Sequence, residues 1–190
     1  MKKALLPLFI LSLALNANAA EYKLCSQGGE DFLMCDMNGT PITGTVKSYH
    51  RNGNLADEES YKNGKREGLT KHYYNNGKLE AEFDYKNDKR EGLANIYHQN
   101  GTLKAKGNFK NGKPEGLAKV YYENGNLKSE ENYKDGKREG LKKYYYENGD
   151  LKAEIIFKEG KPISGYEYDI HGNKTNISDT HLHNMVKYLK

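Results

Sequence analysis

The sequence predicts an all-β chain: an elongated single-layer antiparallel meander of tandem 24-residue β-hairpin repeats, closed by a short C-terminal capping helix. Three observations predict it. Glycines, leucines and aromatics recur in rows that step by 24, as in Gly44, Gly68, Gly92, Gly116 and Gly140. Each row is followed by strict alternation: Leu79, Ala81, Phe83 and Tyr85 on one parity, Glu80, Glu82 and Asp84 on the other. Such alternation marks a strand with one buried and one wet face. Between the strand-like runs stands Asn-Gly, at Asn52-Gly53, Asn76-Gly77, Asn100-Gly101, Asn124-Gly125 and Asn148-Gly149. That dipeptide is a strong hairpin signal, because both residues tolerate positive φ.

The elements follow in order. Residues 1–19 read as an export signal. Met1-Lys2-Lys3 is a positive start, Ala4 to Leu15 a mostly apolar run, and Ala17-Asn18-Ala19 a small-residue cleavage site. The run is short for a membrane span, which needs roughly 20 apolar residues. The expected location is periplasmic or secreted. Residues 20–43 form an N-terminal cap that holds both cysteines, Cys25 and Cys35. An exported compartment permits a disulfide between them, and the short loop it closes is worth roughly 2–3 kcal/mol.

Residues 44–177 are the repeats. Each unit reads Gly-Leu-x-x-x-Tyr-x-x-Asn-Gly-x-Leu, then an alternating stretch, then Tyr-Lys-x-Gly-Lys-x-Glu. The leucines Leu55, Leu79, Leu103, Leu127 and Leu151 form one row, and Tyr61, Tyr85, Phe109, Tyr133 and Phe157 an aromatic row. At the second turn Asp88 stands where Gly64 stood, and Asp tolerates a left-handed turn. One unit adds two strands, roughly 9–10 Å of sheet. A lone hairpin is marginal in water, so stability must come from stacking between neighbours. Tyrosine suits this role, with an apolar body and a polar tip; the chain has 16 Tyr and no Trp. The segments around Pro41-Ile42 and Pro162-Ile163 each carry one extra residue, as terminal repeats should. Residues 178–190 predict a helix capped by Ser178 or Asp179, with Leu182, Met185, Val186 and Leu189 on one face against the last hairpin.

The recurring residues resemble MORN repeats, and more closely the variant form found in bacteria, a type also named YwqK-like antitoxin. The resemblance runs from about Gly44 to Gly165, with a degraded copy at Tyr168 to Asn173. It implies an antitoxin or immunity protein that masks a toxin surface.

Charge and motifs exclude several classes. Lys plus Arg is 30 and Asp plus Glu 26, and loss of Lys2 and Lys3 leaves +2. A nucleic-acid binder should show a denser basic footprint, and balanced charge gives little pull toward anionic lipid. No serine lies in a nucleophile elbow and no glycine pattern matches a phosphate loop. The chain reads as no enzyme, with no cofactor. Of the six histidines, His181 and His183 are two apart, on different helix faces, and none is expected to build a metal site. His72 and His98 could meet across neighbouring hairpins, but no carboxylate or Cys is singled out with them. The turn glutamates Glu67, Glu91, Glu115 and Glu139 read as a solvated ladder. Asp36-Met37-Asn38-Gly39-Thr40 carries an acid-preceded sequon, which makes Asn38 a candidate for glycosylation.

The candidate contact surface is the pair of tyrosine rows: Tyr73, Tyr97, Tyr121 and Tyr145, with Tyr74, Tyr122 and Tyr146 beside them. Adjacent rings point to opposite faces, so one row is expected in the core and one free. The first functional reading is an exported binding or scaffold protein with a protein or envelope partner. The second is a periplasmic immunity protein. The irregular ends favour a monomer.

Overall fold

The computed structural model of the chain describes residues 22–26, 32–178 and 180–182. The export segment 1–19 and Met185, Val186 and Leu189 lie outside the described residues. Strands β1 (Tyr22–Ser26) and β2 (Phe32–Asp36) pair as a separate two-stranded sheet. Cys25 and Cys35 are disulfide-bonded across it, with Cα atoms 6.0 Å apart.

The repeats form one antiparallel sheet of 13 strands. In chain order these are β3 (Gly44–Tyr49), β4 (Leu55–Lys62), β5 (Lys65–Tyr73), β6 (Leu79–Lys86), β7 (Lys89–Tyr97), β8 (Leu103–Lys110) and β9 (Lys113–Tyr121). There follow β10 (Leu127–Lys134), the two-residue β11 (Lys137–Arg138), β12 (Gly140–Tyr145), β13 (Leu151–Lys158), β14 (Lys161–Tyr168) and β15 (Lys174–Asn176). Each strand pairs with the next in sequence, except that β12 as well as β11 pairs with β10. The expected meander is what forms.

Two kinds of turn alternate along the meander. At the tight turns both central residues have positive φ: Asn63 and Gly64 at 51° and 77°, Asn87 and Asp88 at 49° and 63°. This is the two-residue primed turn whose twist matches that of paired strands. Asp88 does take the left-handed conformation expected of it. The Asn-Gly turns differ from expectation. There only the glycine is left-handed, Gly77 at φ 81° for example. Tyr74 accepts from the Gly77 amide at 2.8 Å and donates its own to Lys78 at 2.8 Å, a three-residue connection ending in a bulge. The asparagine acts through its side chain. Asn76 Oδ1 accepts from the Lys78 amide at 3.0 Å, and Asn124 Nδ2 reaches the next repeat at Glu147 O, 3.3 Å.

One face of the sheet is the core. On β6, Ala81, Phe83 and Tyr85 are buried, opposite Thr70 on one side and Ala94 on the other. Among the described residues no second layer of strands covers them. The roof is arginine: Arg90 lies 3.9 Å over Phe83, and Arg66 4.4 Å over Tyr85. Long cationic side chains can cover apolar surface while their heads stay wet. At the C-terminal end Tyr144, Ala153, Ile155, Phe157, Ile177 and Leu182 form a second cluster. Leu182 is buried there, and its amide donates to Ser178 O at 2.8 Å. The capping segment therefore packs on the last hairpin through the part of it that is described. At the other end the cap meets the first tight turn: the Met34 amide donates to Gly64 O and the Gly64 amide to Ile42 O, both 2.8 Å.

Candidate binding surface

The core face holds Thr70 and His72 on β5, so the opposite parity, Leu69, Lys71 and Tyr73, forms the outer face. The tyrosine row Tyr73, Tyr97, Tyr121 and Tyr145 lies there, half-buried. Its rings lean on a column of glutamates one strand back. Tyr97 Oη donates to Glu82 Oε1 at 2.8 Å, and Tyr145 Oη to Glu130 Oε1 at 3.0 Å. Where Lys106 replaces the glutamate, its Nζ sits 6.0 Å from the centroid of the Tyr121 ring. Burial, then the Glu130 bond, pushes the Tyr145 phenol up to about 12.

The second row is a staple between repeats. Tyr74 Oη donates to Tyr97 O at 2.7 Å, Tyr122 Oη to Tyr145 O at 2.7 Å, and Tyr146 Oη to Tyr168 O at 3.0 Å. The expectation that one tyrosine row forms the core is corrected: both rows are half-buried. Among the described residues the buried aromatics are Tyr61, Phe83, Tyr85, Tyr144 and Phe157 instead.

Histidine also has a place in the repeat. His50 and His98 stand in the column of Tyr74, Tyr122 and Tyr146, and do the same work. His50 Nε2 is 2.7 Å from Tyr73 O and His98 Nε2 3.1 Å from Tyr121 O. Their separation of two periods was there to be read. The structure does not bring His72 and His98 together, since His72 points to the core side, 2.7 Å from Asp57 and edge-on to Phe83. Among the described residues no group of three or more His, Cys, Asp or Glu could hold a metal ion. The turn glutamates do form a ladder, but each carboxylate caps the next tight turn: Glu91 Oε2 accepts from the Asn111 amide at 2.7 Å. Asn38 is exposed in a turn whose acid, Asp36, accepts its amide at 2.9 Å.

Two features escaped sequence reasoning. The first is a stripe on the outer face: Leu69, Leu93, Leu117 and Leu141, 40–48% exposed, one per repeat. Their 24-residue step was visible in the Gly-Leu pairs; their exposure followed from the parity opposite Thr70 and Ala94. The second is a buried ionic cluster on the core face. Glu131 Oε2 accepts from Arg138 Nε at 2.6 Å, and Glu131 Oε1 lies 3.0 Å from Lys142 Nζ. Glu131 stands in the column of Phe83 and Ile155, and Lys142 in that of Ala94 and Ala118. Burial pulls the Lys142 ammonium below its ordinary pKa, against the raising effect of Glu131, and pushes the neighbouring Tyr144 phenol up to about 12. Between this cluster and Phe83, where Gly107 takes the column, the core face opens into a cavity of about 210 Å³ whose lining includes Ala94, Ala105, Ala118 and Phe109 as well as Arg90 and Glu131.

No curated protein matches the chain. The MORN repeat variant family matches it five times in tandem, at residues 42–63, 66–87, 90–111, 114–135 and 138–159. These matches begin within two residues of the first repeat, follow the 24-residue step, and together take in more than half of the residues, so the chain belongs to the MORN repeat variant family.

Proposed function

We propose that this chain is an exported binding or scaffold protein, and that the outer face of its sheet docks a protein or envelope partner. The observation that carries the reading is the leucine stripe. Four leucines, each 40% or more exposed, repeat on the face that also holds the Tyr97 and Tyr145 rings. Scattered surface leucines need no explanation, whereas a regular apolar row rimmed by polar groups marks an interaction surface. Export is supported by the order of residues 1–19 and by the Cys25–Cys35 bond. Among the described residues no helix is long and apolar enough to cross a membrane.

The test is crosslinking of the tagged protein in living cells of its native host, followed by mass spectrometry. Wild type is compared with a Leu93→Ser, Leu117→Ser double variant. The variant should keep its melting temperature to within about 2 °C, since exposed substitutions cost little, and should lose the dominant crosslinked partner. The same partners on both chains would defeat the proposal. A single toxin-like partner, whose toxicity appears when this protein is deleted, would turn the reading to a periplasmic immunity protein.

A further inference from the structure

We propose that the tight-turn edge of the sheet is a separate docking rail for a linear acidic polysaccharide. Every tight turn is flanked by two lysines in direct cross-strand register: Lys86 with Lys89, Lys110 with Lys113, Lys134 with Lys137, and likewise at the first and last turns. Like charges opposite one another disfavour strand pairing, yet the arrangement recurs in all five turns. Among the described residues the ion pairs use other cations, and none of these ten lysines is in one.

One carboxylate beside each of the first four tight turns is committed elsewhere. Glu67, Glu91, Glu115 and Glu139 each accept from a backbone amide of the following turn, at 2.7–2.9 Å. The fold thus segregates a charge that the whole-chain balance conceals. The tight-turn segments 62–67, 86–91, 110–115, 134–139 and 158–162 hold thirteen Lys or Arg against seven Asp or Glu. The turns at the opposite edge, 50–54, 74–78, 98–102, 122–126, 146–150 and 169–173, hold two against four.

The geometry selects the partner. Lysine pairs recur every two strands, about 9–10 Å, along one edge of the sheet. A notch of about 260 Å³ lies between two successive turns, lined by Lys134, Lys137, Asp135, Glu139 and Glu159. A chain with one carboxylate per one or two sugars can place its charges on successive lysine pairs. Its hydroxyls can donate to the acids between them. A flat anionic bilayer would instead press continuous negative charge against Asp135 and Glu159.

The experiment is titration of the purified protein with polygalacturonate at low and at physiological salt. Dextran and phosphatidylglycerol vesicles serve as comparison probes. A K110Q/K113Q/K134Q/K137Q variant should bind polygalacturonate about tenfold more weakly, as expected for losing four exposed ion pairs. Wild-type binding should weaken as salt screens the contacts. A face variant of equal charge, K71Q/K104Q/K128Q/K143Q, should stay within about twofold of wild type, because its lysines lie off the rail. Circular dichroism of all three proteins guards against misfolding. Absence of polygalacturonate binding, equal binding to dextran, equal loss in both variants, or binding to vesicles alone would each overturn the rail. The Leu93→Ser, Leu117→Ser chain should bind polygalacturonate as wild type does, which separates the rail from the outer-face reading.

Discussion

Replacing Glu131 by isoleucine tests whether the ionic cluster is desolvated as its geometry indicates. Glu131 is 8% exposed and Lys142 4%. Both carboxylate oxygens are used, one by Arg138 and one by Lys142, so Glu131→Ile strands a buried ammonium. Removing one partner of a buried pair costs about 3–5 kcal/mol. For a chain of this size that lowers the melting temperature by about 6–20 °C. The repeat supplies its own rescue. Isoleucine is native to this column at Ile155, and alanine occupies the Lys142 column at Ala94 and Ala118. Glu131→Ile combined with Lys142→Ala should therefore return to within about 1 kcal/mol of wild type, or exceed it, since apolar replacement of a whole buried ion pair is often neutral or stabilising. Arg138 keeps its place near Phe157, 5.5 Å from the ring. Urea unfolding followed by circular dichroism measures all three proteins. A single substitution that costs under about 1 kcal/mol, or a double variant as weak as the single, would refute the reasoning.

Three further outcomes follow from the same contacts. Burial raises the phenol pKa of Tyr144 and Tyr145 to about 12 from an ordinary 10.0, so their contribution to stability is complete below pH 10 and is lost as pH rises toward 12; the part of the tyrosinate absorbance that a Tyr144→Phe, Tyr145→Phe variant lacks should appear together with loss of circular dichroism across that window, and its appearance with the fold intact would contradict the shift. Gly64→Ala should cost at least about 1–2 kcal/mol more than Gly112→Ala, because both are left-handed but only at Gly64 would a Cβ strike Leu33 Cβ at 2.7 Å and Met34 O at 2.9 Å; equal melting temperatures would mean that the cap does not sit on this turn. Tyr122→Phe removes one bond to the next repeat and should cost about 1 kcal/mol in urea unfolding; a change under about 0.3 kcal/mol would show that the staple at Tyr145 O is idle.

The rows and their alternation carry most of the fold. Ala81, Phe83 and Tyr85 are buried as their parity requires, and Asp88 accepts the left-handed turn that its short polar side chain permits. The role of Asn76 was less legible, because its preference for turns has two causes. One is tolerance of positive φ and the other is a side chain that bonds to the backbone, and the sequence does not separate them. The surface was harder to read than the core. Tyr97 and Tyr122 look alike in sequence, yet one leans on a glutamate and the other reaches the next repeat's carbonyl. The bulge between β7 and β8 at Tyr97, like that between β9 and β10 beside Lys128, offsets simple face counting. The leucine stripe is the least legible feature, because leucine is expected inside. Its exposure follows only when the columns on both faces are counted together.

The bonds that tie each turn to the next, from Asn124 to Glu147 and from Glu91 to Asn111, reach 20–23 residues along the chain and no farther. This makes the length of the molecule a free variable. Excising residues 90–113 would join Lys89 to Pro114, the same Lys-Pro step that now occurs at Lys113-Pro114. It would set Ala118 opposite Phe83, where Ala94 now stands. A gene that gains or loses 72 nucleotides in this region thus still encodes a sheet that closes, shorter or longer by one hairpin. The reach of the protein can drift by copying errors without first passing through an unfolded ancestor.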